Sequence, residues 1–136
     1  MILYLDTSAL VKLYVPEAGG DFAASEAGAA RIVATAIVTY AEARSAFASM
    51  HRNRRLDTAA LTGVRRALDD GWPGLSVVAI THEVVRNAGS LAERYGLRGY
   101  DAVQLACYDW LRRSATEPCR FLTFDERLAQ AAERLR

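Results

Sequence analysis

Asp6 directly follows the apolar run ILYL, Glu42 sits in TYAEARSAF, Asp101 in LRGYDAVQLAC and Asp125 in FLTFDERLAQAA. Carboxylates drawn into one pocket repel one another and resist desolvation, so such a cluster calls for a cation. A hard divalent ion resolves the conflict. Mg²⁺ takes oxygen ligands and keeps several waters, leaving positions for a phosphate oxygen and an attacking water. The chemistry this suggests is metal-assisted hydrolysis with no side-chain nucleophile. On this reading Asp6 and Asp101 contact the metal directly. Glu42 and Asp125 complete the shell through water or hold a second ion.

Each acid also has a purely structural explanation. Thr123 and Glu126 have the spacing of a capping box, which places Asp125 in a helix first turn. Thr39 and Glu42 share that spacing, and Asp101 could be an ordinary early helical acid. Asp6 resists this treatment, because an acid ending an apolar strand lies at a buried edge where charge must be paired. Thr7, Ser8 and Thr123 can bond a carboxylate or a metal-bound water, although Ser and Thr are also common helix starters. His51 and His82 lie away from the acidic patterns, and a lone His is more often a satisfied or surface residue than a base.

The elements that would position these acids alternate in type. Apolar runs at 2–5, 32–34, 75–80 and 120–124 read as strands, the third being the clearest. Helices are expected from about Ser8 to a stop at Pro16, over 18–30, from Thr35 or Thr39 to about His51, and from the N-cap Asp57 to the turn Gly71, Trp72, Pro73, Gly74. Three more follow: Thr81 to Tyr95, closed by Gly96; Tyr100 to about Arg113; and 125–136. Short strands, apolar on both sides and separated by helices, are what a parallel sheet covered on both faces requires. We expect one α/β domain over 1–136, a three-layer α/β/α sandwich with a short, mainly parallel sheet. In such sheets the ligand site lies beyond the carboxyl ends of the strands, where all four acids would meet.

With 136 residues, 51% of them hydrophobic, the chain can support one core but not two. The opening residues lack the basic stretch of a secretory signal, and no segment approaches a membrane span, so a cytoplasmic protein is expected. Cys107 and Cys119 read as ordinary small side chains rather than a disulfide or zinc site. The net charge is +1, but if the four acids share a pocket the other 17 basic and 12 acidic side chains leave +5, nearly all guanidinium. Arg bonds phosphate in a fork, although an Arg-for-Lys bias can also follow from a GC-rich genome. For RNA contact the candidates are Arg44, close to Glu42 on its helix, and Lys12, with Arg52, Arg54 and Arg55 as weaker ones that equally fit a solvated helix end.

Over its whole length the chain resembles the PIN-domain family, and within it the VapC-like toxins of prokaryotic toxin–antitoxin pairs. The resemblance is carried by the four acidic patterns in order. It implies an endoribonuclease whose acids bind Mg²⁺ or Mn²⁺ and activate water against an RNA phosphodiester, leaving 5′-phosphate and 3′-hydroxyl ends. It further implies a homodimer and a small cognate antitoxin whose tail occludes the cleft. The sequence departs from the family pattern in one place: Gly99 and Tyr100 precede Asp101, and Gln104 stands where many relatives carry His, which bears on substrate contacts more than on metal binding.

Two other readings compete. A Mg²⁺-dependent aspartyl-phosphate phosphatase or receiver domain also puts an acid after its first strand. The phosphatase needs a second Asp where this chain has Ser8, and the receiver needs a phosphorylated Asp where it has Thr81 and His82. The other rival is a PIN-like binding module that does not hydrolyse RNA, against which the presence of all four acids argues.

Overall fold

The computed structural model describes residues 1–135. Its sheet contains four strands, β1 (Ile2–Leu5), β2 (Ile32–Ala36), β3 (Ser76–Val78) and β4 (Cys119–Leu122), in the spatial order β3-β2-β1-β4. Every neighbouring pair is parallel, so the sheet is wholly rather than mainly so. The helices are α1 (Thr7–Val11), α2 (Gly20–Ala29), α3 (Thr39–Arg52), α4 (Thr58–Gly71), α5 (His82–Tyr95), α6 (Gly99–Ser114) and α7 (Glu126–Glu133), and a 3₁₀ turn spans Trp72–Gly74.

Strand β1 lies inside the sheet, and its alternating side chains divide the core. Ile2 and Tyr4 join Ala34, Ala36 and Val78 under α5, α6 and α7. Leu3 and Leu5 join residues of α1, α3 and α4, such as Leu10, Phe47 and Leu68, on the opposite face. This is the α/β/α sandwich expected from a strand apolar on both sides.

Several boundaries differ from expectation. The clearest strand in sequence, 75–80, is the shortest in space, because β3 is an edge strand paired only with β2, through Ser76, Val77 and Val78. Helix α1 stops at Val11 instead of continuing towards Pro16. Gly19, with φ at +87°, opens α2 at Gly20, later than the expected Ala18. A Cβ at Gly19 would come within 2.6 Å of the Phe124 ring, so both backbone and packing favour glycine there. The last helix ends at Glu133, and Arg136 lies outside the described residues. No helix among the described residues is long and apolar enough to cross a membrane.

Candidate active site

Following β1, the chain leads to β2 on one side, while β4 lies on its other side, so the strand order reverses at β1. Ligands of parallel α/β sheets bind beyond the carboxyl ends of the strands at such a point. Asp6 stands there as the N-cap of α1, and Asp125, three residues past β4, is the N-cap of α7. Glu42 and Asp101 occupy the first turns of α3 and α6. All four acids line one cleft of about 610 Å³, together with Thr7, Ser8, Ser45, Ser49, Tyr100 and Gln104.

Asp6 is held most firmly. It is 5% exposed; its Oδ1 accepts from the Ser8 hydroxyl at 2.7 Å and the Ala9 amide at 3.0 Å, and its Oδ2 from the Thr123 hydroxyl at 2.6 Å. Thr123 Oγ1 in turn accepts from the Asp125 amide at 3.0 Å, and Ser8 Oγ accepts from the Phe124 amide at 2.9 Å. These bonds lace the end of β1 to the end of β4. They also replace the capping box expected of Thr123 and Glu126, because the Thr123 hydroxyl is committed to Asp6 and Asp125 caps α7 with its own side chain, accepting from the Leu128 amide. The Thr39–Glu42 box is absent for a similar reason. Val38 is the N-cap of α3, and the Thr39 hydroxyl bonds Thr35 at 2.8 Å and Gln104 at 2.9 Å.

Glu42 Oε1 accepts from the Thr7 hydroxyl at 2.7 Å and the Gln104 amide at 2.8 Å. Gln104, the departure from the family pattern, is part of the cleft floor, 2% exposed. The clue in the sequence was spacing: positions three apart share a helix face, so Gln104 had to follow Asp101 into the cleft.

Burial raises the pKa of Asp6 despite lowering by its three hydrogen bonds, and the Asp101 charge adds to the rise. Asp101 is raised first by burial and then by the charges of Asp125 and Glu42, while Arg98 opposes the shift. No ion pair within the described residues involves any of the four acids. A cleft of mutually repelling, unpaired carboxylates fits a divalent cation. Among the described residues no three Asp, Glu, His or Cys side chains stand close enough to hold a metal by themselves.

The basic candidates are placed less favourably. Lys12 does not line the acid cleft; its ammonium bonds Glu17 at 3.2 Å and the Ala18 carbonyl at 2.7 Å and lies 4.6 Å from the centre of the Phe124 ring. Arg44 is exposed on the outer side of α3, donating to the Tyr40 hydroxyl at 3.0 Å beside a shallow cavity that adjoins the cleft through Ala41 and Ser45. Arg52, Arg54 and Arg55 are at the far end of α3, about 15 Å of helix from Glu42. Arg55 pairs with Glu17 at 3.0 Å. The sequence reading missed Arg98 and Arg127, which line a smaller cavity of about 220 Å³ with Asp101 and Asp125. It also missed Tyr100, 54% exposed at the cleft wall. His51 bonds the Leu56 carbonyl, and neither His lines the cleft. Both cysteines are free, and burial pushes the Cys107 thiol up to about 11.

Residues 3–134 of this parallel α/β/α sandwich match the family model for the PIN domain. Two curated relatives from Mycobacterium tuberculosis, ribonuclease VapC45 of strain CDC 1551 and ribonuclease VapC49 of strain H37Rv, are each 35% identical over 105 residues, 77% of this chain and 73% of theirs. The crystal structure of M. tuberculosis VapC20, a toxin that cleaves the sarcin–ricin loop, superposes with a TM-score of 0.68 at 17% identity, covering 95% of this chain and 94% of that one. The chain belongs to the PIN-domain family, in its VapC ribonuclease branch, and is a hydrolase of that class. Enzymes of this branch are generally metal-dependent. The aspartyl-phosphate rival finds no support in these matches.

Proposed function

We propose that the chain is a Mg²⁺-dependent endoribonuclease, the toxin of a toxin–antitoxin pair, with Asp6, Glu42, Asp101 and Asp125 as its catalytic carboxylates. The observation that supports this best is the gathering of four acids, unpaired with any basic side chain, along one cleft at the carboxyl edge of the sheet. Asp6 and Asp101 would hold the ion directly, while Glu42 and Asp125 would complete its shell through water or hold a second ion. The bound ion supplies an activated water and offsets charge growing on the phosphate. Thr123, Ser8 and the Ala9 amide keep Asp6 aimed, and Thr7 does the same for Glu42.

Arg98 and Arg127 are well placed for the RNA backbone, since each lines the cavity next to Asp101 and Asp125. Arg44 is a more distant contact, and Lys12, already committed to Glu17 and Ala18, is a poor one. Tyr100 offers an exposed ring on which an unpaired base can stack. The resemblance to the PIN-domain family implies products with 5′-phosphate and 3′-hydroxyl ends. By the same analogy the protein works in the cytoplasm as a homodimer and is silenced by a small antitoxin whose tail covers the cleft.

The test is calorimetric titration of Mn²⁺ into the wild-type protein and Asp101→Asn, followed by RNA cleavage assays on the same samples. Binding and cleavage that are both present in the wild type and both lost in the variant support the reading. A wild type that binds no Mn²⁺ leaves a PIN-like binding module.

A further inference from the structure

Beneath the cleft, a tyrosine in the centre of the sheet is joined to a catalytic carboxylate through one amide. We propose that Tyr4 and Gln104 form a positioning pair that aims Glu42 into the cleft. The inference rests on the reading of Glu42 as a metal-holding residue and adds to it two residues that make no contact with metal or substrate of their own.

Gln104 Oε1 accepts from the Tyr4 hydroxyl at 2.6 Å. On the other end of the same amide, Nε2 donates to Glu42 Oε1 at 2.8 Å and to Thr39 Oγ1 at 2.9 Å, and lies 3.3 Å from Thr7 Oγ1. The two ends of an amide are not interchangeable: the oxygen only accepts and the NH₂ only donates. A half-turn of the Gln104 amide would set its carbonyl oxygen against the Glu42 carboxylate. The carboxylate, which only accepts, fixes the NH₂ end, and Tyr4 anchors the other end by donating to the oxygen.

The tyrosine is suited to the task. It is fully buried, its ring packed 5.5 Å from Phe121 and 5.9 Å from Tyr108 between ring centres. A tyrosine hydroxyl is protonated at neutral pH and can donate, and this one does so to Gln104. Thr39 is fixed from behind by Thr35, whose hydroxyl also bonds the Leu5 carbonyl at 2.7 Å. Glu42 Oε1 thus receives Thr7 and Gln104, and Oε2, which accepts no hydrogen bond among the described residues, is left for the cleft. Losing a group that orients a metal ligand commonly costs about 10–100-fold in metal affinity or activity.

The test is a double-mutant cycle read by Mn²⁺ affinity, with calorimetric titrations of wild type, Tyr4→Phe, Gln104→Met and the double variant, each accompanied by a thermal melt. Loss of an orienting partner is expected to weaken Mn²⁺ binding by about 10-fold in each single variant. Because Tyr4 acts only through Gln104, the double variant is expected to bind no more weakly than Gln104→Met alone. A purely structural effect of Tyr4 would lower the melting temperature without this coupling. Independently of metal, the side-chain amide signals of Gln104 in a ¹H–¹⁵N spectrum are expected to shift or broaden in Tyr4→Phe. The pair is refuted if Tyr4→Phe binds Mn²⁺ as tightly as wild type, or if the two losses multiply in the double variant. Should Gln104→Met not fold, Tyr4→Phe alone decides, since it removes a single oxygen. Wild type failing to bind Mn²⁺ overturns the metal role of Glu42 and the pair with it, whereas a binding wild type with unaffected variants overturns the pair alone.

Discussion

The two ends of the sheet treat their acids in opposite ways. At the amino edge, Glu117 is ion-paired with Arg31 and with the Met1 amino group, the latter at 2.9 Å, and these partners pull its pKa down to about 2. At the carboxyl edge, Asp6 and Asp101 are pushed up by burial and by neighbouring carboxylates. Both ends belong to one chain with 17 Lys and Arg to spend, so the lack of pairing at the carboxyl edge is not a shortage of cations. The difference teaches that one pole has its acid paired within the fold, while at the other the acids have no basic partner in the ion pairs of the described residues.

The largest break in this comparison comes from the acids themselves. Asp101→Asn is expected to lower RNA cleavage by about 1,000-fold, the equivalent of roughly 4 kcal/mol in the barrier, and yet to raise the melting temperature of the metal-free protein by relieving repulsion. Asp6→Ala should lose as much activity but melt earlier, because it also removes a helix cap and two hydroxyl contacts, a cost of about 1–2 kcal/mol. Cleavage assays and metal-free melts of the two variants separate an acid that only repels from one that also builds the fold. Full activity in either would end the assignment.

Thr123→Val sharpens the contrast within the carboxyl edge. It should leave the acid count unchanged, weaken Mn²⁺ binding by about 10-fold and cost about 1 kcal/mol of stability, as read by calorimetry and melting. A Mn²⁺ affinity equal to that of wild type would show that Asp6 needs no lacing to β4.

Arg98→Ala asks whether the open pole attracts a backbone phosphate. RNA affinity of a catalytically silent Asp101→Asn background should drop, and the slope of log affinity against log salt should become shallower by about 0.7 for one lost single-strand contact. An unchanged slope would remove Arg98 from the interface.

The smallest effect is in pH, and here the two poles have opposite signs. Asp6 and Asp101 bind protons more tightly folded than unfolded, so their contribution to stability is full below the ordinary aspartate value of 3.8 and is lost as pH rises through their raised folded values. Glu117 is lowered, so its contribution is present above its ordinary 4.5 and is lost as pH falls towards about 2. Metal-free melts across this range should show Asp101→Asn flattening the decline towards neutral pH and Glu117→Gln flattening the decline in acid. The second change should be the slighter, since Glu117 is part of an exposed network.

Much of this was legible before any coordinates. ILYL reads as a buried strand because it is a short, largely apolar run, and Asp6 followed as the acid at its end. The helix caps Asp57 and Thr81 and the left-handed stop at Gly96 were read from local chemistry, and the structure places each accordingly. What sequence could not determine by itself was the strand order, hence that β4 lies beside β1 and that Thr123 reaches Asp6 across 117 positions. Nor could it separate a capping threonine from one committed to a neighbouring acid, since the two differ only in which partner the fold brings near. Gln104 is the plainest case. Its position on the cleft face of α6 follows from helical spacing, but its orientation depends on a tyrosine 100 residues away that reaches it only once the sheet and α6 have packed. Periodicity and turn chemistry act within a few residues and are written in the sequence, whereas the partners of a polar atom are settled by which elements the buried core draws together.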